Sequence, residues 1–233
     1  MSPHAVLATF IVAGYLAGSI PFGLLAGLIK GVDLRKVGSR NIGASNAGRT
    51  LGKRWFFIIL ALDALKGFVP VLWAGLWLKR GGAFSAPDHV IQQQCAWLAV
   101  ALAAILGHLL PVFLGFRGGR GVATSLGVVL AIWPYYTISG LLAFAVWGAV
   151  KKGSGYISVA SIVACGVFPV LVVAVGLVDG VGMVSLMPLV AFAVIVAALV
   201  AIRHWPNIQR LRAGQELSSD RKPDSGEDVG EQQ

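Results

Sequence analysis

Residues 122–152 read VATSLGVVLAIWPYYTISGLLAFAVWGAVKK. The fold turns on whether this stretch crosses a membrane once or twice. Trp133-Pro134 stands near its middle, and proline removes a backbone donor and disfavours helix in the residue before it. One reading is a single interrupted span. The other is a hairpin of two short spans, 122–133 and 135–150, ended by Lys151 and Lys152.

Outward from this stretch lie further apolar runs, at 4–29, 55–78 and 91–114 before it and at 156–178 and 182–202 after it. Each is near the roughly 20 residues that span a bilayer. The 233 residues are 57% hydrophobic and only 12% charged, about half the charged fraction of soluble domains. The chain is therefore a polytopic membrane protein.

Charge decides the count of spans. With the hairpin there are seven, and the loops 30–54, 115–121 and 151–155 share one side with everything after 202. That side carries 16 of the 19 Lys+Arg. A single crossing would put Lys151 and Lys152 on the opposite side from other basic segments. By the positive-inside rule the basic side is cytoplasmic and the N-terminus periplasmic. The expectation is an all-α polytopic membrane protein with seven transmembrane helices and a cytoplasmic C-terminus. The two halves of the hairpin are short for full crossings, so one is expected to be tilted or buried among its neighbours. Pro21 should kink or loosen the first span. That span lacks a basic leader and a small-residue cleavage site, so it reads as a retained helix. Residues 1–212 form one membrane domain, and 213–233, which hold six of the ten acids, read as a disordered tail.

The net charge of +9 points to anionic lipid headgroups or an anionic substrate. No aromatic-interleaved basic domain is present to bind nucleic acid. Cys95 and Cys165 lie in apolar runs and suit packing rather than a disulfide framework or a metal site. With only Asp33, Asp63, Asp88 and Asp179 before the tail, neither a metal site nor paired-carboxylate chemistry is expected.

Four polar clusters fall on the basic side. The first, residues 38–49, reads GSRNIGASNAGR; its glycines permit a curled backbone and its arginines offer bidentate donors, which suits a phosphate and equally suits a solvated loop. The second, residues 107–127, reads GHLLPVFLGFRGGRGVATSLG. There Arg117-Gly118-Gly119-Arg120-Gly121 precedes a helix start, where free amides and the dipole favour an anion, though the nucleotide-binding P-loop pattern is absent. The third, residues 153–161, offers hydroxyls at Tyr156, Ser158 and Ser161; packing is the plainer reading for Ser161. In the fourth, His204, Asn207 and Arg210 share one helical face, and Glu216 is a partner for one of its cations. Within the spans, Asp63 and His108 are costly ionisable groups and so site candidates, although Asp63 and Lys66, three apart, suit mutual neutralisation.

Together these motifs, with SIPFGLL at 19–25, DALKG at 63–67 and GYISVAS at 155–161, resemble the bacterial acyl-phosphate:glycerol-3-phosphate acyltransferases, the PlsY family. The resemblance covers about residues 10–216. It implies seven transmembrane helices, an active site at the cytoplasmic face of the inner membrane, and no cofactor. The implied reaction moves a fatty acyl group from acyl-phosphate to the 1-position of glycerol 3-phosphate. The products are lysophosphatidic acid and phosphate, with the acyl-phosphate made by a soluble partner enzyme. It implies essential roles for Ser39 and Arg49, functional roles for His204 and Asn207, acyl-phosphate binding by Gly118, Gly119 and Gly121, and a structural role for Glu216. Asn46, Asp63 and His108 also match family positions. The chain departs from the family at Arg40, usually glycine, at Ser45, usually threonine, and at Arg117 and Arg120, usually lysine.

On this basis Ser39, Arg49, His108, His204 and Asn207 are the expected catalytic residues. Asn46, Asp63, Arg117, Gly118, Gly119, Arg120, Gly121 and Ser158 are the expected substrate-binding ones. Acyl-phosphate is already activated, so direct attack by the acceptor hydroxyl needs only positioning and charge stabilisation. An acyl-enzyme on Ser39 is the rival mechanism. The proton acceptor is open among His108, His204 and the substrate phosphate. The rival function is a transporter or flippase of a phosphorylated metabolite or lipid, for which basic sites confined to one side are a poor fit.

Overall fold

The computed structural model describes residues 1–83, 89–216 and Ser218. The tail read as disordered lies almost wholly outside the described residues, as do residues 84–88 before the third span. Among the described residues the regular structure is helical: α1 (Pro3–Ser19), α2 (Phe22–Ile29), α3 (Ala44–Leu51), α4 (Lys53–Lys79), α5 (Val90–Leu109), α6 (Val122–Ala131), α7 (Tyr135–Ser154), α8 (Ile157–Val178) and α9 (Met183–Arg212).

Five stretches are long and apolar enough to cross a membrane: Pro3–Ile29, Lys53–Lys79, Val90–Leu114, Ile157–Val178 and Met183–Arg212. The first is broken where Pro21 interrupts the chain between α1 and α2, and the Lys66 ammonium donates to the Ile20 carbonyl at the break, 2.8 Å away. Small residues let α1 and α5 pack closely: a Cβ on Gly18 would strike the Ala104 backbone and one on Gly107 the Tyr15 carbonyl, as in close-packed membrane helices.

The stretch 122–152 is a hairpin. α6 ends at Ala131, the chain turns through a cis Trp133–Pro134 peptide, and α7 begins at Tyr135. The Thr137 hydroxyl donates back to the Val129 carbonyl, 3.1 Å away, at the end of α6. Ten residues of α6 are only about 15 Å long, half the hydrocarbon thickness of about 30 Å. Its backbone is shielded by neighbours, with Gly127 against Ala64 and Thr124 against Gly67 of α4.

Two sequence expectations change. Residues 38–49 are not one curled loop: from Ala44 they form α3, whose Ala44 and Ala47 are buried in a small core with Leu34 and Ile59. The last span does not stop at 202 but runs on through Pro206 to Arg212. That extension carries the polar face of α9 to the end of the bundle where α3, α6 and α8 begin.

Candidate active site

The first cluster is built on Asn46. Its side chain is 1% exposed. The amide nitrogen donates to the carbonyls of Leu34, at 3.0 Å, and Val37, at 3.1 Å, while its oxygen accepts from the Ser39 amide at 2.9 Å. Asn46 thus spends both amide protons and one oxygen lone pair holding the loop before α3. The loop in turn presents Ser39, whose hydroxyl is buried without a partner among the described residues. Gly38 and Arg40 both take left-handed backbone, at φ 57° and 55°. Arg49 lies in the last turn of α3; burial pushes its guanidinium below the ordinary arginine value, against the pull of Glu216, which raises it.

The second cluster folds back on His108. The amides of Gly119 and Gly118 donate to the His108 and Leu109 carbonyls, at 3.1 and 3.2 Å. A Cβ on Gly119 would overlap the His108 imidazole, so glycine is needed here for close approach. The Arg203 guanidinium binds the two glycine carbonyls, at 2.7 Å for Gly118 and 3.1 Å for Gly119. The first turn of α6 has no side-chain cap. Arg117 is exposed on the far side of the loop. Arg120 points into the protein, and burial pushes it down from 12.5 to about 10.

Beneath the loop, Asp63 and Lys66 form a buried ion pair of 2.7 Å. The His108 Nδ1 stands 3.8 Å from the same carboxylate, too far for a hydrogen bond.

The third and fourth clusters meet at Glu216. One carboxylate oxygen accepts from Ser158, at 3.0 Å, and from Asn207, at 2.5 Å; the other accepts from Arg210, at 2.9 Å. His204 is 1% exposed, and its Nδ1 lies 2.8 Å from the Val200 carbonyl. A carbonyl only accepts, so Nδ1 carries the proton and Nε2 is left as an acceptor.

These parts surround one cavity of about 370 Å³. Of the expected residues, Ser39, Asn46, Asp63, His108, Arg120, Gly121 and His204 line it. Arg49, Asn207 and Ser158 are outside the lining itself; Ser158 and Asn207 bond to Glu216, whose charge also acts on Arg49. Gly118 and Gly119 lie behind His108, and Arg117 lies outside. The starts of α3, α6 and α8 all contribute lining residues, so three positive helix ends face the same space. Away from this end the cavity is apolar, walled by such residues as Leu60, Leu126, Phe144 and Ala164. It opens sideways between α4 and α7, where lining residues Phe57 and Phe144 are 56% and 45% exposed.

Ser125, Trp147 and Lys151 also line the cavity and were not singled out by sequence. Ser125, whose buried hydroxyl has no partner among the described residues, looks in sequence like any small packing residue of a membrane helix. The α7 residues had a legible signal: Gly140, Ala143, Phe144, Trp147 and Lys151 recur at helical spacing on one face. Arg203 was within the fourth motif, but its role as a clamp on the glycine loop shows only in three dimensions. Among the described residues no group of three His, Cys, Asp or Glu gathers as a metal site would require.

A membrane-embedded helical body, with one pocket that is basic and hydroxyl-rich at one end and apolar along the rest, defines an integral membrane protein built to handle an anionic amphiphile. Within that class, the chain belongs to the glycerol-3-phosphate acyltransferase family, whose model matches residues 8–214. It is 42% identical over 220 residues to the glycerol-3-phosphate acyltransferase of Anaeromyxobacter dehalogenans, covering 93% of this chain and 98% of that one. It is 41% identical over 209 residues to that of Aquifex aeolicus, covering 88% and 95%. The fold matches crystal structures of PlsY (YgiH), an integral membrane glycerol 3-phosphate acyltransferase. For the glycerol 3-phosphate form the TM-score is 0.74 at 37% identity, covering 91% of this chain and 95% of that one. For the lysophosphatidic acid form it is 0.73 at 36%, with the same coverage.

Proposed function

We propose that the protein transfers a fatty acyl group from acyl-phosphate to the 1-position of glycerol 3-phosphate, releasing lysophosphatidic acid and phosphate. The reaction takes place at the cytoplasmic face of a bacterial inner membrane. Family membership supports the acceptor, and the two-ended pocket is the observation that carries the rest. A phosphate-bearing headgroup fits among Arg120, the start of α6 and the start of α3, and an acyl chain fits the apolar length.

In this reading Arg49 and Arg120 hold phosphate, and Ser39 orients it through a hydroxyl that has no other partner among the described residues. Asn46 positions Ser39. His204 accepts a hydrogen bond from the attacking hydroxyl through Nε2. The hydroxyl oxygen bonds to the acyl carbon, the bond from that carbon to the phosphate oxygen breaks, and the hydroxyl proton leaves with the phosphate. Ser158, Asn207 and Arg210 act through Glu216, which fastens the end of α9 over the start of α8. The lateral opening admits the acyl donor from the bilayer, and glycerol 3-phosphate enters from the aqueous side.

The topology that accompanies this reading has seven crossings. α1 with α2 makes the first and α4 to α9 the others, with the N-terminus periplasmic. It rests on the distribution of Lys and Arg. The acyl-phosphate is supplied by a soluble enzyme, which meets the basic cytoplasmic face transiently.

The test is purified protein in detergent with synthetic acyl-phosphate and glycerol 3-phosphate. Lysophosphatidic acid is expected without any sealed compartment. A transporter or flippase of the same compounds would make none.

A further inference from the structure

We propose that Phe168, held in place by Tyr136, sets the longest acyl chain the enzyme accepts. The proposal rests on the acyl-transfer reading above. The cavity lining descends α8 from Ile157 through Ser161 and Ala164 to Phe168 and goes no further. Eleven residues of helix correspond to a depth of about 16 Å, close to one leaflet of a hydrocarbon core about 30 Å thick. The pocket therefore ends near the bilayer midplane, within the molecule.

The end is built to stay closed. Phe168 is only 7% exposed, and Tyr136 beneath it is fully buried. The two rings meet edge to face with centroids 5.2 Å apart, and Tyr136 also lies against Phe192, at 6.0 Å. The Tyr136 hydroxyl donates to the Leu189 carbonyl, which ties the aromatic stack to the backbone of α9. At the same level a Cβ on Gly140 would run into the Val129 side chain, so α6 and α7 are already in contact there. A chain longer than the pocket must displace this stack or bend back out through the mouth. Displacing the stack loses packing, and a chain bent back into the bilayer loses its contacts with the pocket wall.

The test is kcat/KM for a series of saturated acyl-phosphates, from octanoyl to stearoyl, at saturating glycerol 3-phosphate. Adding or removing one methylene's worth of space in an apolar pocket changes kcat/KM by about tenfold. Phe168→Ala is expected to favour donors longer than the wild-type optimum by at least that factor, relative to the optimum itself. Ala164→Leu, which fills the pocket one turn nearer the mouth, is expected to shift the profile by a similar factor toward shorter donors. Ala164→Leu decides the matter if Phe168→Ala does not fold. Val170→Ala removes a side chain 66% exposed and absent from the lining; its profile should match the wild type, and a shift there would overturn the proposal in favour of a general bilayer effect. Active Phe168→Ala and Ala164→Leu proteins with the wild-type profile would also overturn it. No lysophosphatidic acid from wild-type protein with any donor would instead defeat the acyl-transfer reading.

Discussion

Arg40 holds a left-handed backbone, φ 55°, with its side chain in solvent. A side chain in that conformation costs about 1–2 kcal/mol, and the resembling family usually has glycine there. Arg40→Gly should therefore raise the melting temperature in detergent, by about 1 kcal/mol of stability, with acyl transfer unchanged. Arg120 makes a prediction about pH. Burial lowers its guanidinium to about 10, so the charge is present at neutral pH and is lost as pH rises through that value. The alkaline limb of kcat/KM for glycerol 3-phosphate should fall there. In Arg120→Lys the ordinary value starts near 10.4 and the same burial lowers it, so the limb should move to lower pH. An unmoved limb would remove Arg120 from phosphate binding. At this scale the sequence was informative about which residues matter and less so about how. The spacing of Asp63 and Lys66 foretold their ion pair. That Asn46 holds the loop together was hidden, because its three partners lie 7 to 12 residues away in the chain.

Elements place those residues. α3 was illegible as a helix because eight residues are too few to be stable alone; only the spacing of Ala44, Ala47 and Leu51 betrays a buried face. Asn46→Ala removes the bonds that join α3 to the preceding loop and leaves two carbonyls and an amide unsatisfied, at a cost of about 1–3 kcal/mol for a buried group. Both the melting temperature and kcat should fall. If Asn46 acts through Ser39, the Ser39→Ala and Asn46→Ala double variant should lose little more kcat than the single variants, a non-additivity read from a double-mutant cycle. Full additivity would separate the two roles. The glycine–arginine loop was legible as a functional feature from its composition. What sequence did not show is that the amides of Gly118 and Gly119 donate to carbonyls at the end of α5, which brings the chain onto His108.

For the whole molecule, the helical membrane body was legible because apolar runs of span length leave few alternatives. The hairpin was legible from Pro134 and from Lys151 and Lys152. How the short α6 is sheltered was not, since its packing against α4 is tertiary. The seven-crossing topology predicts that Gly153 and Gly182, at opposite ends of α8 and with open space around each, face opposite sides. In a background lacking Cys95 and Cys165, Gly153→Cys should label from the cytoplasmic side and Gly182→Cys from the other; labelling of both from one side would refute it. The central claim is direct transfer between two phosphate-bearing substrates in one pocket. It is tested by rapid-quench measurement of phosphate release from labelled acyl-phosphate, with and without glycerol 3-phosphate. Direct transfer predicts phosphate only when the acceptor is present, appearing one for one with lysophosphatidic acid. A burst of phosphate equal to the enzyme concentration without acceptor, leaving the acyl label on Ser39, would contradict it.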